Sequence, residues 1–314
     1  MKYRKLGKSS ISVSEIGFGA WGIGGVRNNS FAYGPTEDEE SLKALHYAKE
    51  HGVNFFDSAP LYGYGHSEEL LGEAFNHCRQ EVIISTKVGF KDFSGNQDFS
   101  KNYISESINF SLKRMRTDYV DAFLLHSPPI NQLKNDDLIF ENLIDLKEKG
   151  KTRLIGISAK SPEDCLEAIK LYPFDLVQVN FNLIDQRMLR IGLLEHCNKN
   201  GIGIVGRTPL CFGFLTGKFT QKSEFDTNDH RANLDKKLLQ NWTEELEKFM
   251  KLTSHKYSGI ELALNFCLSY EISTTIPGMI NLSHIKENIS SVKQGYVNHK
   301  DLKNIEILYD NLNN

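Results

Sequence analysis

The chain has 314 residues, 40% of them apolar and 25% charged, with a formal net charge of -3. That balance describes an ordinary globular protein with enough apolar residues for a large core, and the lack of a basic excess argues against a nucleic-acid partner. No 18 apolar residues follow one another and no apolar run backs the basic N-terminus, so neither a membrane span nor a secretory signal is expected and the cytoplasm is the expected compartment.

In chain order, residues 3–16 alternate around G-K-S-S and predict a small β-hairpin ahead of the main fold. Strand-length apolar runs then alternate with amphipathic, helix-length ones. The strands fall at 16–19, 53–57, 82–87, 119–126, 153–158, 176–180, 203–207 and 273–277. The helices fall at 36–51, capped by Thr36 with Glu39 three residues on, at 67–76, opened by Ser67, and at 101–115, 136–149, 162–171 and 191–199. A long loop follows the seventh strand to about residue 234, before helices at 242–252, 260–270 and 283–292 and a last one at 302–312. The strands are short, rich in Val and Ile and nearly all apolar, as strands buried on both faces of a parallel sheet must be. Eight strand-and-helix units with no linker or composition shift between them predict one (β/α)8 TIM barrel over residues 1–314, with the lead hairpin and an extra C-terminal helix. An open doubly wound sheet is the alternative.

In a barrel, function collects at the C-terminal ends of the strands, here Gly19, Asp57, Lys87, His126, Ser158, Gln178, Arg207 and Pro277. Singly, each has an ordinary structural explanation. A lysine ending I-I-S-T-K and a histidine ending A-F-L-L-H are nevertheless costly to bury unless paired. One joint account covers them: Asp57 keeps Lys87 charged, and Lys87, if close to the Tyr62 oxygen, favours the phenolate of a side chain whose pKa is about 10 when unperturbed. At about 4 Å and an effective dielectric of about 20 that attraction is roughly 4 kcal/mol before desolvation opposes it. Tyr62 then becomes an acid able to protonate a carbonyl oxygen, with His126 bonded to the same oxygen. The carbon needs a hydride, which no side chain supplies, so a nicotinamide cofactor is expected.

Gly17-Phe18-Gly19-Ala20-Trp21-Gly22 also satisfies G-x-G-x-x-G after a strand, with acidic residues about 20 positions on. A dinucleotide-binding turn opens directly into a helix, whereas Gly24, Gly25, Asn28, Asn29 and Pro35 intervene here. The stretch is therefore read as the first loop of the barrel, with Gly19, Ala20 and Trp21 lining a cofactor and substrate pocket and Trp21, Tyr64 and Phe90 as candidate apolar walls. Tyr3, Phe181 and the helix at 302–312 are read as structural. Five widely spaced cysteines (Cys78, Cys165, Cys197, Cys211, Cys267) without a C-x-x-C predict reduced thiols and no metal site.

Taken together, F-F-D-S-A-P-L-Y-G with G-H-S-E-E-L-L-G behind it, I-S-T-K-V-G, D-A-F-L-L-H-S, K-G-K-T-R-L-I-G-I-S, V-Q-V-N-F-N, P-L-C-F-G-F-L-T-G-K and I-P-G…E-N resemble the aldo-keto reductases over essentially the whole chain. The likeness is greatest to bacterial members with a D-H-R element, here Asp229 to Arg231. The resemblance implies a catalytic tetrad of Asp57, Tyr62, Lys87 and His126. It implies that Ser158 and Gln178 hold the nicotinamide carboxamide, although the asparagine usual after that serine is Ala159. Arg207 stands where an aromatic residue often stacks on the nicotinamide. Pro209, Leu210, Gly213, Leu215, Gly217 and Lys218 match the segment around the pyrophosphate, which the loop beyond would close over. Pro277, Gly278, Glu287 and Asn288 match adenosine-binding positions, where His284 replaces the usual glutamine and Ile280 a polar or basic residue. The implied cofactor is NADPH before NADH, and the implied partner is a small-molecule carbonyl, sugar-like carbonyls included, with no oligomeric state indicated. The alternative functions are a cofactor-binding regulatory or redox-sensing barrel with little turnover, and an aldolase-like enzyme using Lys87 as a Schiff-base nucleophile.

Overall fold

The computed structural model describes residues 1–27, 30–220, 222–293 and 295–313; Asn28 and Asn29, noted above as loop residues, lie outside that set. A hairpin of β1 (Tyr3–Lys5) and β2 (Ser12–Ser14) precedes eight parallel strands, β3 (Phe18–Gly19), β4 (Phe55–Asp57), β5 (Ile83–Val88), β6 (Val120–His126), β7 (Thr152–Ser158), β8 (Leu176–Asn180), β9 (Gly203–Arg207) and β10 (Thr274–Ile276), which pair in sequence order. The Gly17 amide donates to the Thr275 carbonyl (2.8 Å), and that of Gly19 to Pro277 (3.0 Å), bringing the first strand against the last. The sheet is thus a nearly closed barrel, and the open doubly wound alternative is excluded.

Around it lie α1 (Asp38–Glu50), α2 (His66–Phe75), α3 (Lys101–Arg114), α4 (Ile130–Asn135), α5 (Leu138–Glu148), α6 (Pro162–Leu171), α7 (Arg187–Arg190), α8 (Leu193–Asn200), α9 (Lys236–Leu252), α10 (Gly259–Leu268), α11 (Leu282–Ser291) and α12 (His299–Asn313). No helix among the described residues is long and apolar enough to cross a membrane. All five cysteines are free and buried.

Several boundaries differ from expectation for identifiable reasons. Thr36 does not cap α1: its hydroxyl donates to the Ile23 carbonyl (3.2 Å), tying down the first loop instead. Nor does Ser67 open α2, since its hydroxyl donates to the Ala20 carbonyl (2.9 Å). The helix expected at 136–149 is α5, and the short α4 ahead of it was not expected. The helix α9 starts six residues early, at Lys236, because the Asp235 carboxylate accepts from the amides of Lys237 and Leu238.

Successive side chains of a strand point to opposite sides of the sheet. Phe55, Ala122, Leu124, Leu154, Leu176, Val205 and Ile276 fill the barrel interior, plugged from below by Leu6, Ile11 and Val13 of the hairpin region. The intervening residues, such as Phe56, Phe123, Ile155 and Val177, face the helices and form the larger outer core. Stepping up two or four residues from Phe55, Leu124, Leu154, Leu176 and Val205, and from Ile83, which packs against the same cluster, reaches Asp57, His126, Ser158, Gln178, Arg207 and Lys87. The barrel's alternation therefore turns six polar side chains from six strands onto one interior face above an apolar floor.

Candidate active site

Tyr62 is not on a strand, and its placement depends on glycine. After Asp57 the chain makes a short helical turn, Tyr62–Gly65, in which Gly63 and Tyr64 adopt left-handed backbone (φ 60 and 52). A Cβ on Gly63 would lie 2.3 Å from the Gly24 carbonyl oxygen, so this turn packs backbone to backbone on the first loop.

Lys87 is fully buried beneath Tyr62 and donates from Nζ to Asp57 Oδ2 (2.7 Å), the Ser58 carbonyl (2.7 Å) and the Tyr62 hydroxyl (3.2 Å). Burial alone would lower the lysine pKa, but the charge of Asp57 and the Tyr62 oxygen outweigh it and hold the group above its ordinary value. The other Asp57 oxygen accepts from Gln178 Nε2 (2.8 Å), and the Ser158 hydroxyl donates to Gln178 Oε1 (2.8 Å). The carboxylate is thus engaged on both oxygens, and Ser158 and Gln178 form one chain of hydrogen bonds with it. The His126 ring lies edge-on to Tyr62, with centroids 6.4 Å apart, and is braced by Phe90 at 4.8 Å. Burial, then the cations of Lys87 and Arg207, push its pKa well below 6.5, so the imidazole is neutral.

These groups open into a cavity of about 770 Å³. A phenol hydroxyl bonded to a buried ammonium, beside a neutral imidazole, is an arrangement suited to giving a proton to an oxygen bound in that cavity. The matching family model, Aldo/keto reductase family, covers residues 15–310. The chain belongs to the aldo-keto reductase family. Its members are oxidoreductases of carbonyl substrates that use nicotinamide cofactors. An uncharacterized oxidoreductase, YqkF, of Bacillus subtilis is 30% identical over 98% of this chain and 96% of its own. The aldo-keto reductase yakc [NADP(+)] of Schizosaccharomyces pombe is 30% identical over 92% and 86%. Among solved structures, the holo form of an aldo-keto reductase from Bacillus halodurans superposes with a TM-score of 0.81 at 26% identity, covering 98% and 96%.

Most of the cofactor positions matched to this reductase family border the cavity: Gly19, Ala20, Trp21, Gln178, Arg207, Pro209, Leu210, Gly213, Lys218, Gly278, His284, Glu287 and Asn288. Four do not. Ser158 stands behind Gln178, Leu215 is buried in the outer core, Gly217 ends a turn in left-handed backbone (φ 78), and the Pro277 carbonyl accepts from Gly19 in the barrel seam. Arg207 Nη2 donates to the Ala159 carbonyl (3.0 Å), while its Nε is buried with no partner, as is Nδ2 of Asn288. Two enclosed donors awaiting acceptors, at the end of β9 and on α11, fit a long polar ligand lying along the cavity.

The first loop and the long loop meet over the cavity. The His230 amide donates to the Ala32 carbonyl (2.9 Å), Trp21 Nε1 to the Phe31 carbonyl (3.0 Å), and the His230 ring packs on Trp21 at 4.6 Å. The D-H-R element is the knot of that closure: Arg231 forms a bidentate pair with Asp229 (3.0 and 2.5 Å) and stacks on Tyr33, Phe219 and Phe225. Of the expected walls, Trp21 borders the cavity, Phe90 supports His126 from behind, and Tyr64 stands half exposed against Phe93, which borders the cavity in its place. Sequence reasoning also missed Asn182, Ile184, Asp185 and Arg187 after β8, and read α12 as structural although Tyr309 and Asn313 reach the wall. The first group follows a strand end and was open to the same rule; nothing in the pattern of α12 marks those two residues.

Proposed function

We propose that this protein is an NADPH-dependent carbonyl reductase in which Tyr62 is the proton donor and Asp57, Lys87 and His126 complete the catalytic set. The observation carrying the proposal is the buried Lys87 ammonium, held by Asp57 at 2.7 Å and bonded to the Tyr62 hydroxyl at 3.2 Å inside the cavity. The nicotinamide cofactor, when bound, supplies the hydride that the carbonyl carbon needs. Tyr62 gives its proton to the carbonyl oxygen, and Lys87 stabilises the phenolate that remains. His126, neutral, donates an N–H to the same oxygen and orients it. Asp57 has no substrate contact in this scheme: it keeps Lys87 charged in a place where a lone cation would lose its proton. Trp21 and Phe93 keep water from the reacting atoms.

Gln178, Arg207 and Asn288 are assigned to the cofactor along the cavity, with residues 209–218 around its pyrophosphate. The choice of NADPH rests on Lys218, which lies near His284 at the α11 end, and on the fission-yeast relative whose name carries NADP(+). Substrates are aldehydes and ketones, hydroxylated and sugar-like ones included. Oxidation of NADPH and of NADH, followed with a panel of hydroxyaldehydes, aldoses, aryl aldehydes and ketones, tests this reading. Carbonyl-dependent oxidation with NADPH ahead of NADH is expected. Tight cofactor binding without turnover on any of them would refute it in favour of a regulatory protein.

A further inference from the structure

The charged side chains bordering the cavity are ion-paired, with one exception among the described residues. Asp57 pairs with Lys87 (2.7 Å), Asp185 with Arg187 (2.8 Å), Lys218 with Glu287 (2.6 Å) and Arg231 with Asp229 (2.5 Å). Arg207 has no carboxylate within ion-pairing distance among those residues. Its guanidinium donates to the Ala159 carbonyl, and its Nε is buried without a partner. A guanidinium does not shed its charge as a lysine does, so the reaction end of the cavity holds one uncompensated positive charge. That charge is felt at the catalytic groups: it helps to keep His126 neutral, and Tyr62 and Asp57 act back on it.

This bears on the cofactor under the reading given above. The oxidised nicotinamide ring is a cation and the reduced ring is neutral. A hydride reaches a carbonyl whose oxygen is bonded to Tyr62 only from a ring held within a few ångströms of it, and therefore within the field of Arg207. We propose that Arg207 sets the relative affinity for the two redox forms of the cofactor, its unpaired cation penalising the oxidised ring while sparing the reduced one. Two features support a charge effect over a simple contact. The guanidinium is anchored by a backbone carbonyl, which leaves its charge in place, and the neighbouring Asp57 is already neutralised by Lys87. The consequence is a site that favours the reduced form and releases the oxidised product, as suits a reductase.

The test is a pair of dissociation constants, for NADP⁺ and NADPH, from quenching of protein fluorescence in the wild type, Arg207→Met and Arg207→Lys, with NAD⁺ and NADH in parallel. A unit charge acting through several ångströms of partly screened protein is worth about tenfold in affinity. The ratio of oxidised to reduced dissociation constant should fall by about that factor in Arg207→Met, and in Arg207→Lys it should stay near wild type at acidic pH, where the new lysine keeps its proton, and fall as rising pH removes it. Equal loss of affinity for both forms in Arg207→Met would overturn the proposal, because a contact to the carboxamide or pyrophosphate changes both alike. Should Arg207→Met fail to fold, Arg207→Gln removes the charge with a polar side chain, and the same ratio decides. A wild type that binds neither pair refutes the reductase reading and this inference with it; binding with an unchanged ratio refutes this inference alone.

Discussion

Replacing Asp57 with asparagine removes one charge from a buried pair while keeping its shape. Both side chains are at most 3% exposed and Nζ–Oδ2 is 2.7 Å. At an effective dielectric of about 20 the gross attraction at that distance is about 6 kcal/mol, much of it offset by the desolvation of both ions. In Asp57→Asn the offset persists for Lys87 and the attraction does not, so the expected loss of stability is about 3 to 5 kcal/mol. Lys87→Met strands the carboxylate instead, although Gln178 Nε2 still donates to it. The double variant buries no charge and should recover much of the loss, giving a coupling of about 2 kcal/mol or more in a double-mutant cycle. Urea unfolding followed by circular dichroism at pH 7 measures the cycle. Because the Lys87 pKa is raised in the fold, its contribution is fully present below the ordinary value of 10.5 and is lost only as pH rises through the folded value, so pH 7 is inside the window. Turnover should be absent in both single variants and in the double, which separates stability from catalysis. Additive losses within about 0.5 kcal/mol would refute the claim that Asp57 acts by keeping Lys87 charged.

Gly63→Ala should lower kcat at least about tenfold, since its methyl group meets the Gly24 carbonyl at 2.3 Å and moves the turn that carries Tyr62, whereas Gly34→Ala, with nothing within 4 Å, should cost only backbone strain of about 1 kcal/mol and keep its kcat. Steady-state kinetics of the two side by side check this; equal kcat values would contradict it. His126 titrates well below its ordinary 6.5 in the fold, so below that pH the unfolded chain binds a proton that the native one does not, and stability should decline as pH falls through about 6.5 and be complete above it. Unfolding midpoints from pH 5 to 8 should therefore depend less on pH in His126→Gln than in the wild type; identical profiles would count against a neutral buried imidazole.

The barrel was legible because buried parallel strands have few ways to be written: short Val- and Ile-rich runs between amphipathic stretches. The residues at their C-terminal ends followed from the fold class, and the contacts of Lys87 with Asp57 and Tyr62 from the cost of burying an ammonium. Less legible was whatever depends on competition between local and distant partners. Thr36 and Ser67 carry cap residues' chemistry, but the Ile23 and Ala20 carbonyls, brought close only by the folded first loop, took their hydroxyls. The bond from Gln178 to Asp57 joins positions 121 apart and follows from β4 and β8 facing the same interior, which no local pattern encodes. Tyr309 and Asn313 lie beyond the last barrel unit, where strand-end reasoning has nothing to say.

Tyr62→Phe removes one hydroxyl oxygen and leaves Lys87 with Asp57 and the Ser58 carbonyl. The decisive measurement is kcat/KM for a reducible carbonyl in that variant, paired with its dissociation constant for NADPH. The mechanism predicts a loss of about 10² to 10⁴ in kcat/KM with cofactor affinity unchanged. Wild-type turnover in Tyr62→Phe would contradict it outright.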